Sequence, residues 1–140
     1  MPLIDDPGIN RITGGIIKSA IEVHKHLGPG LLESIYFTCL VQELRAAQVS
    51  VITRMRVPVI YKGVALDCRL EIDLLVDDTV VVEVKAVQAL VPVHEAQLLT
   101  YLRLARYPVG LLINFNVPLL KDGVNRIVNK EKLRSSVPPC

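Results

Sequence analysis

The stretch over residues 69–87, RLEIDLLVDDTVVVEVKAV, does most to limit what this chain can become. It reads as two β-strands joined by a tight turn at Asp77-Asp78, and the second strand, 79–87, has the valine richness of a buried strand. Yet that strand carries Glu83 and Lys85 two residues apart, and so on one face of the pleat. An unpaired carboxylate or ammonium is expensive to bury, so the pair needs partners or a metal ion. Asp73, on the preceding strand, is the natural third member.

Register decides whether these three meet. Residues directly opposite each other in an antiparallel hairpin share a face. A two-residue turn at Asp77-Asp78 sets Asp73 against Val82, which leaves Asp73 and Glu83 on opposite faces. A three-residue turn over 77–79, or a bulge, sets Asp73 against Glu83 instead. A carboxylate site here therefore requires the longer turn or a bulge. With that register the two carboxylates offer oxygen ligands suited to Mg²⁺ or Mn²⁺. Lys85 then stands where it can orient or activate water and stabilise charge at phosphorus. The competing reading is a buried Glu83–Lys85 salt bridge, with Asp73 capping a turn.

The rest of the chain frames this hairpin. Over 9–27, Ile12, Ile16, Ile17, Ala20, Ile21, Val23 and Leu27 mostly recur at helical spacing, and Gly28-Pro29-Gly30 ends that helix. A second helix is expected over 31–48, with Leu32, Ile35, Tyr36, Cys39, Leu40 and Leu44 as its apolar stripe. Residues 49–61 turn β-branched, Tyr61-Lys62-Gly63 makes a hairpin corner, and 64–76 and 79–87 complete three strands on short turns. Pro92 opens a third helix over 93–106, which Tyr107-Pro108 breaks. VGLLINFN, 109–116, is a short apolar strand of the kind that helices bury on both faces, and a last strand or turn falls at 124–128. The order ααβββαβ predicts an α/β fold, a mixed β-sheet flanked by helices on both sides.

At 140 residues the chain is expected to form one domain, 1–140, with its core over about 9–128 and a frayed tail over 129–140. Hydrophobic residues make up 51% of it and the mean hydropathy is +0.41, yet no apolar run approaches the roughly 20 residues that span a bilayer. The surplus is expected in the core or in a homo-oligomeric interface, a dimer in the simplest case, and not in a membrane. The opening MPLIDDPGIN has acidic residues and no basic stretch, unlike a signal peptide. Cys39, Cys68 and Cys140 lie far apart with no C-x-x-C pair, which argues against a disulfide framework or a cysteine zinc site and fits a reducing cytoplasm. A net charge of +2 will not hold nucleic acid by electrostatics alone. Beyond Pro118, however, Lys121, Arg126, Lys130, Lys132 and Arg134 outnumber Asp122 and Glu131, as either a solvated tail or a phosphate track.

Two further features bear on the carboxylates. Gln97 and Tyr101 lie four apart on the helix after the Glu83/Lys85 strand, hence on one of its faces. Glu33 sits just inside the second helix, three residues after Gly30 and three before Tyr36, where a carboxylate commonly just complements the helix dipole. Taken in order, Gly30-Leu-Leu-Glu33, Asp73, Glu83-Val-Lys85 and Gln97-Leu-Leu-Thr-Tyr101 resemble the motifs of the PD-(D/E)xK nuclease superfamily, particularly its RecB-like branch. More narrowly, Gly30-Leu-Leu-Glu33-Ser-Ile-Tyr36 is similar to the signature of the small bacterial GxxExxY proteins, and the likeness runs from about residue 9 to 128.

That resemblance implies a restriction-endonuclease-like three-layer core. It implies that Asp73 and Glu83 bind the metal, that Lys85 is the catalytic lysine, and that Glu33 completes the metal shell directly or through water. Gln97 and Tyr101 resemble the motif that positions the substrate phosphate or orients the site, and Tyr36 is grouped with them. One departure stands out: Ile72 precedes Asp73, so the proline of the superfamily's name is absent, as in many members.

Other constellations fail. His94-Glu95 begins like a zincin motif, but Leu98 occupies the position of the second histidine. Gly28-x-Gly30 has no strand before it, which argues against a dinucleotide fingerprint. His24 and His26 point to different sides of their helix; both read most plainly as surface or helix-end residues, with His24 also counted among substrate-positioning residues because it can reach substrate. Four Tyr, two Phe and no Trp are too few for an aromatic platform for single strands. The expectation is therefore a metal-dependent phosphodiesterase, a DNA or RNA nuclease using Mg²⁺ or Mn²⁺. Its alternatives are a non-cutting module that binds nucleic acid or a partner protein, and a structural protein whose charges form only a buried ion network.

Overall fold

The computed structural model describes residues 6–135, with the side chains of Cys68, Arg69 and 133–135 left out of that description. Asp6 starts the first helix: its carboxylate accepts the Ile9 N–H at 3.1 Å, and Pro7 supplies a first turn that needs no donor. Helix α1 (Pro7–Leu27) buries Ile9, Ile16, Ala20 and Val23 and ends at Gly28, whose φ of 67° few other residues adopt cheaply. Helix α2 (Glu33–Ala46) buries Tyr36, Leu40, Val41 and Leu44. It begins two residues later than expected, because 28–32 form a loop held by the Tyr36 hydroxyl, which donates to the Gly28 carbonyl at 2.6 Å and accepts the Leu31 N–H at 3.1 Å.

Five strands follow: β1 (Val51–Tyr61), β2 (Val64–Val76), β3 (Val80–Lys85), β4 (Val109–Asn114) and β5 (Val124–Val128). They form one sheet in the order β1-β2-β3-β4-β5. Every pairing is antiparallel except β3–β4, which is parallel and bridged by the crossover helix α3 (Pro92–Ala105). The sheet is therefore mixed. Its two parallel strands are the most apolar and the most buried, as strands covered on both faces must be. A short helix, α4 (Lys130–Ser135), follows β5.

Two apolar layers hold the sheet between helices. On one face, Leu74, Val76, Val80, Val82, Val84, Leu111 and Ile113 pack with α1 and α2. On the other, Ile72, Leu75, Val81 and Leu112 pack with Leu98 and Leu102 of α3. Here Gly110 is required for close approach, since a Cβ would stand 2.9 Å from a Leu98 methyl. This is the α/β arrangement expected from the element order, a mixed sheet with helices on both sides.

The chain is held where β5 ends. Asn129 is buried, and its amide donates to the carbonyls of Leu102 at 3.3 Å and Tyr107 at 3.2 Å, so the chain is pinned to the end of α3 before α4 begins. Residues 136–140, including Cys140, lie outside the described residues. Among the described residues no helix is long and apolar enough to cross a membrane.

Candidate active site

The β2–β3 hairpin takes the longer turn. Thr79 N–H closes onto the Val76 carbonyl at 3.0 Å, with Asp77 and Asp78 at φ of 49° and 51°, a left-handed conformation that aspartate tolerates better than most residues. Thr79 is then an extra residue, and pairing starts at Val76↔Val80, followed by Leu75↔Val81 and Leu74↔Val82. One step on, Asp73 comes level with Glu83.

At that step the two strands part and side chains replace the ladder. Asp73 N–H donates to Glu83 Oε1 at 3.3 Å, and Val84 N–H donates to Asp73 Oδ2 at 2.9 Å. Both backbone donors are satisfied by the carboxylates themselves, as buried N–H groups must be. The β1–β2 pairing also skips Arg54 and Asp73, where Arg54 has a φ of 51°. The distortion shows in the packing, since Leu74 joins the α1/α2 layer while both Ile72 and Leu75 join the α3 layer.

Glu83 is 8% exposed, and burial pushes its carboxyl up to about 8. The Asp73 charge beside it adds to that rise, and Lys85 offsets only part of it. Near neutral pH the Glu83 carboxyl therefore retains its proton. Glu83 makes no ion pair with Lys85, in contrast to the exposed Arg54–Glu71 pair. The buried salt-bridge reading thus lacks its bond.

Helix α3 brings the next two residues to the pair. The Tyr101 hydroxyl is shifted upward first by burial and then by the charge of Glu83, with Asp73 adding to it, and a side-chain hydrogen bond with Gln97 opposes the shift. Leu98 and Leu102, buried against the sheet, fix which face of the helix does this.

Three other expected residues are placed elsewhere. Tyr36 is fully buried, stacked on Phe115 with ring centroids 4.7 Å apart, and its hydroxyl is committed to the 28–31 loop. It scaffolds that loop and has no surface to offer a substrate. His24 is taken by the Val117 carbonyl, 2.8 Å from Nε2; since a carbonyl only accepts, Nε2 carries the proton and the ring ties α1 to the segment after β4. Glu33, exposed at the start of α2, stands outside the carboxylate pair, and among the described residues no group of three or more His, Cys, Asp or Glu is set to hold a metal ion. His94, already doubtful as a zinc ligand, folds back so that its Nδ1 accepts the Val91 N–H at 3.1 Å.

Asn114 was missed from sequence. It lies level with Lys85 in the parallel pair and is 1% exposed. Its Oδ1 accepts the N–H groups of Val87 at 3.0 Å and Asn116 at 3.2 Å, and its Nδ2 donates to the Val87 carbonyl at 3.0 Å. With Phe115 N–H bonded to the Lys85 carbonyl at 3.0 Å, this clamp ends β3 at Lys85. The available signal was an amide inside an otherwise apolar strand.

The donor set suits a hard divalent cation. Two adjacent carboxylates concentrate negative charge that a cation would neutralise, and two oxygen ligands leave room for the several waters that Mg²⁺ keeps. No curated protein and no solved structure matches the chain. The family model described as the PD-(D/E)XK nuclease superfamily matches residues 10–127, a span that takes in both carboxylates, Lys85, Gln97 and Tyr101, and the chain belongs to that superfamily.

Proposed function

We propose that this chain is a metal-dependent phosphodiesterase that cuts DNA or RNA. The observation that carries this reading is the hairpin register, which sets Asp73 level with Glu83 where β2 and β3 part. Nucleases of the superfamily generally use divalent metal ions such as Mg²⁺. Here Asp73 and Glu83 would hold Mg²⁺ or Mn²⁺, and such an ion supplies an acidified water and a countercharge for the phosphate. Lys85, two residues from Glu83 on the same face, orients the attacking water and stabilises the charge that develops at phosphorus. Tyr101 and Gln97 approach from α3 to orient the phosphate. Glu33 enters only through water, because it stands outside the pair. Glu83 must give up its proton before both carboxylates can act as ligands, so the site works better toward the alkaline side of neutrality.

The GLLESIY segment, Gly30 to Tyr36, supports a place in the GxxExxY family. A cytoplasmic location and a homodimer accompany the reading, from the spacing of the cysteines and the apolar composition respectively. One observation favours a second reading, a module that binds nucleic acid or a partner protein without cutting: the described residues form no three-ligand group. Mn²⁺ titration with thermal unfolding, run beside cleavage of DNA and RNA, separates the two. The nuclease reading expects Mn²⁺ to raise Tm, and it expects Lys85→Ala to keep that rise while losing at least about 100-fold in cleavage rate. A pure protein that cuts neither DNA nor RNA with Mg²⁺ or Mn²⁺ gives the binding reading precedence.

A further inference from the structure

We propose that Arg54 binds substrate: its guanidinium holds a backbone phosphate next to the one that sits at Asp73 and Glu83. The inference rests on the nucleic-acid reading above, whether the strand is cut or only bound. β1 and β2 keep one register on either side of this arginine, Thr53↔Leu74 and Met55↔Ile72, so Arg54 stands directly across from Asp73. Cα atoms so opposed lie roughly 5 Å apart. Of the two arginines on β1, Arg54 is the one level with the carboxylate.

Its backbone has a φ of 51° inside a strand, a conformation that costs any residue with a side chain. The side chain is held in place all the same. Cζ lies 4.5 Å from the centroid of the Phe37 ring on α2, and Nη1 lies 3.4 Å from Glu71 Oε1. The two charged side chains are 56% and 46% exposed, and an ion pair that open is among the weakest contacts in a folded chain. With one cation–π contact beside it, the pair offsets little of the backbone cost. Strain of this kind gathers where a ligand is held.

The seat suits a phosphate. Phe37 covers one face of the guanidinium and Glu71 takes Nη1, which fixes the plane and leaves further N–H groups at its edge for a paired contact. Glu33 lies one helical turn before Phe37 on the same side of α2. With Glu71 and Asp73 it repels a polyanion, and a fixed cation at this spot offsets that repulsion. Both helical layers border the opening. β2 and β3 part at Asp73, Tyr101 approaches from α3, and Arg54, over Phe37, stands on the α2 side. Arg56, exposed and two residues along, continues the positive line away from the carboxylates.

Fluorescence anisotropy with labelled single-stranded and duplex oligonucleotides tests the assignment. The full chain is used as its Lys85→Ala variant with Mn²⁺, so that bound substrate persists. Adding Arg54→Ala is expected to weaken binding about 10-fold and to lower the slope of log affinity against log salt by roughly one phosphate contact. Arg54→Lys should restore the slope, because the charge returns, but not the full affinity, because the planar fork does not. Glu71→Gln frees the guanidinium and should tighten binding about 3-fold. The rise in Tm with Mn²⁺ should be the same in all of them.

A residue that only ties β1 to α2 would lower Tm and leave the salt slope alone, and that result overturns the proposal. So does a parent chain that binds neither oligonucleotide. Should Arg54→Ala not fold, the exposed Glu71→Gln change decides, and unaltered binding there overturns it too. The two readings fail separately. A salt slope that depends on Arg54 in a chain that cuts nothing removes the nuclease and keeps the phosphate seat. Cleavage by an Arg54→Ala single variant with unchanged KM and salt slope keeps the nuclease and removes the seat.

Discussion

Under α1 and α2 the central strands present apolar side chains, among them Leu74, Val82, Val84, Leu111 and Ile113, all fully buried, while at the edge strand β5 Arg126 donates to Asn10 Oδ1 of α1. Under α3 the same strands present Leu75, Val81 and Leu112 and then, toward one end, Asp73, Glu83 and Lys85. A strand alternates its side chains, so a single stretch such as VVVEVK serves both faces at once. Stability is concentrated on one side and chemistry on the other. The apolar face offsets the cost of keeping a carboxylate buried 8% exposed beside another.

That contrast can be broken most forcefully with pH. The folded-state Glu83 carboxyl titrates at about 8 against an ordinary value of 4.5, so the folded state binds the extra proton. The stability this contributes is fully present below pH 4.5 and is lost as pH rises through about 8. The slope is at most about 1.4 kcal/mol per pH unit within that window. Thermal melts of metal-free protein should therefore fall in Tm from acid toward pH 8, and Glu83→Gln should flatten the trend. A flat wild-type profile would mean the two faces are electrostatically alike.

Leu111→Ala probes the opposite face. Removing a fully buried leucine should cost about 3 kcal/mol in urea unfolding and leave the pH trend intact. If the trend vanished as well, the faces would not be independent. Asn114→Ala sharpens the boundary between them. It strips partners from the Val87 N–H and carbonyl and should cost about 2 kcal/mol, with Mn²⁺ affinity little changed and any cleavage falling in kcat rather than rising in KM. Loss of metal binding in this variant would move Asn114 from holding the strand end to holding the ion.

Much of this was legible in the sequence because it rests on short-range periodicity. The period-two spacing of Glu83 and Lys85 and the period-four spacing of Gln97 and Tyr101 need only a strand and a helix to acquire direction. The turn length at 77–79 was open, since two aspartates allow either register, and only the extra Thr79 decides it. Tyr36 was legible in part: with Leu40 and Leu44 it forms an i, i+4, i+8 core stripe, and its place in a signature drew attention away from that. The partners of His24 and Asn114 lie 93 and 27 residues away, so no local pattern announces them. The same holds for Asn129, whose two carbonyl partners lie 27 and 22 residues back.

Asp73 stands in for a missing carbonyl in the ladder, since its Oδ2 is where the Val84 amide ends. An inactive allele at this position is therefore ambiguous, because it removes a strand's neighbour along with a reactive group. Lys85, at the rim and bonded to no carboxylate, is the cleaner lesion for anyone asking in a living cell whether the chemistry matters.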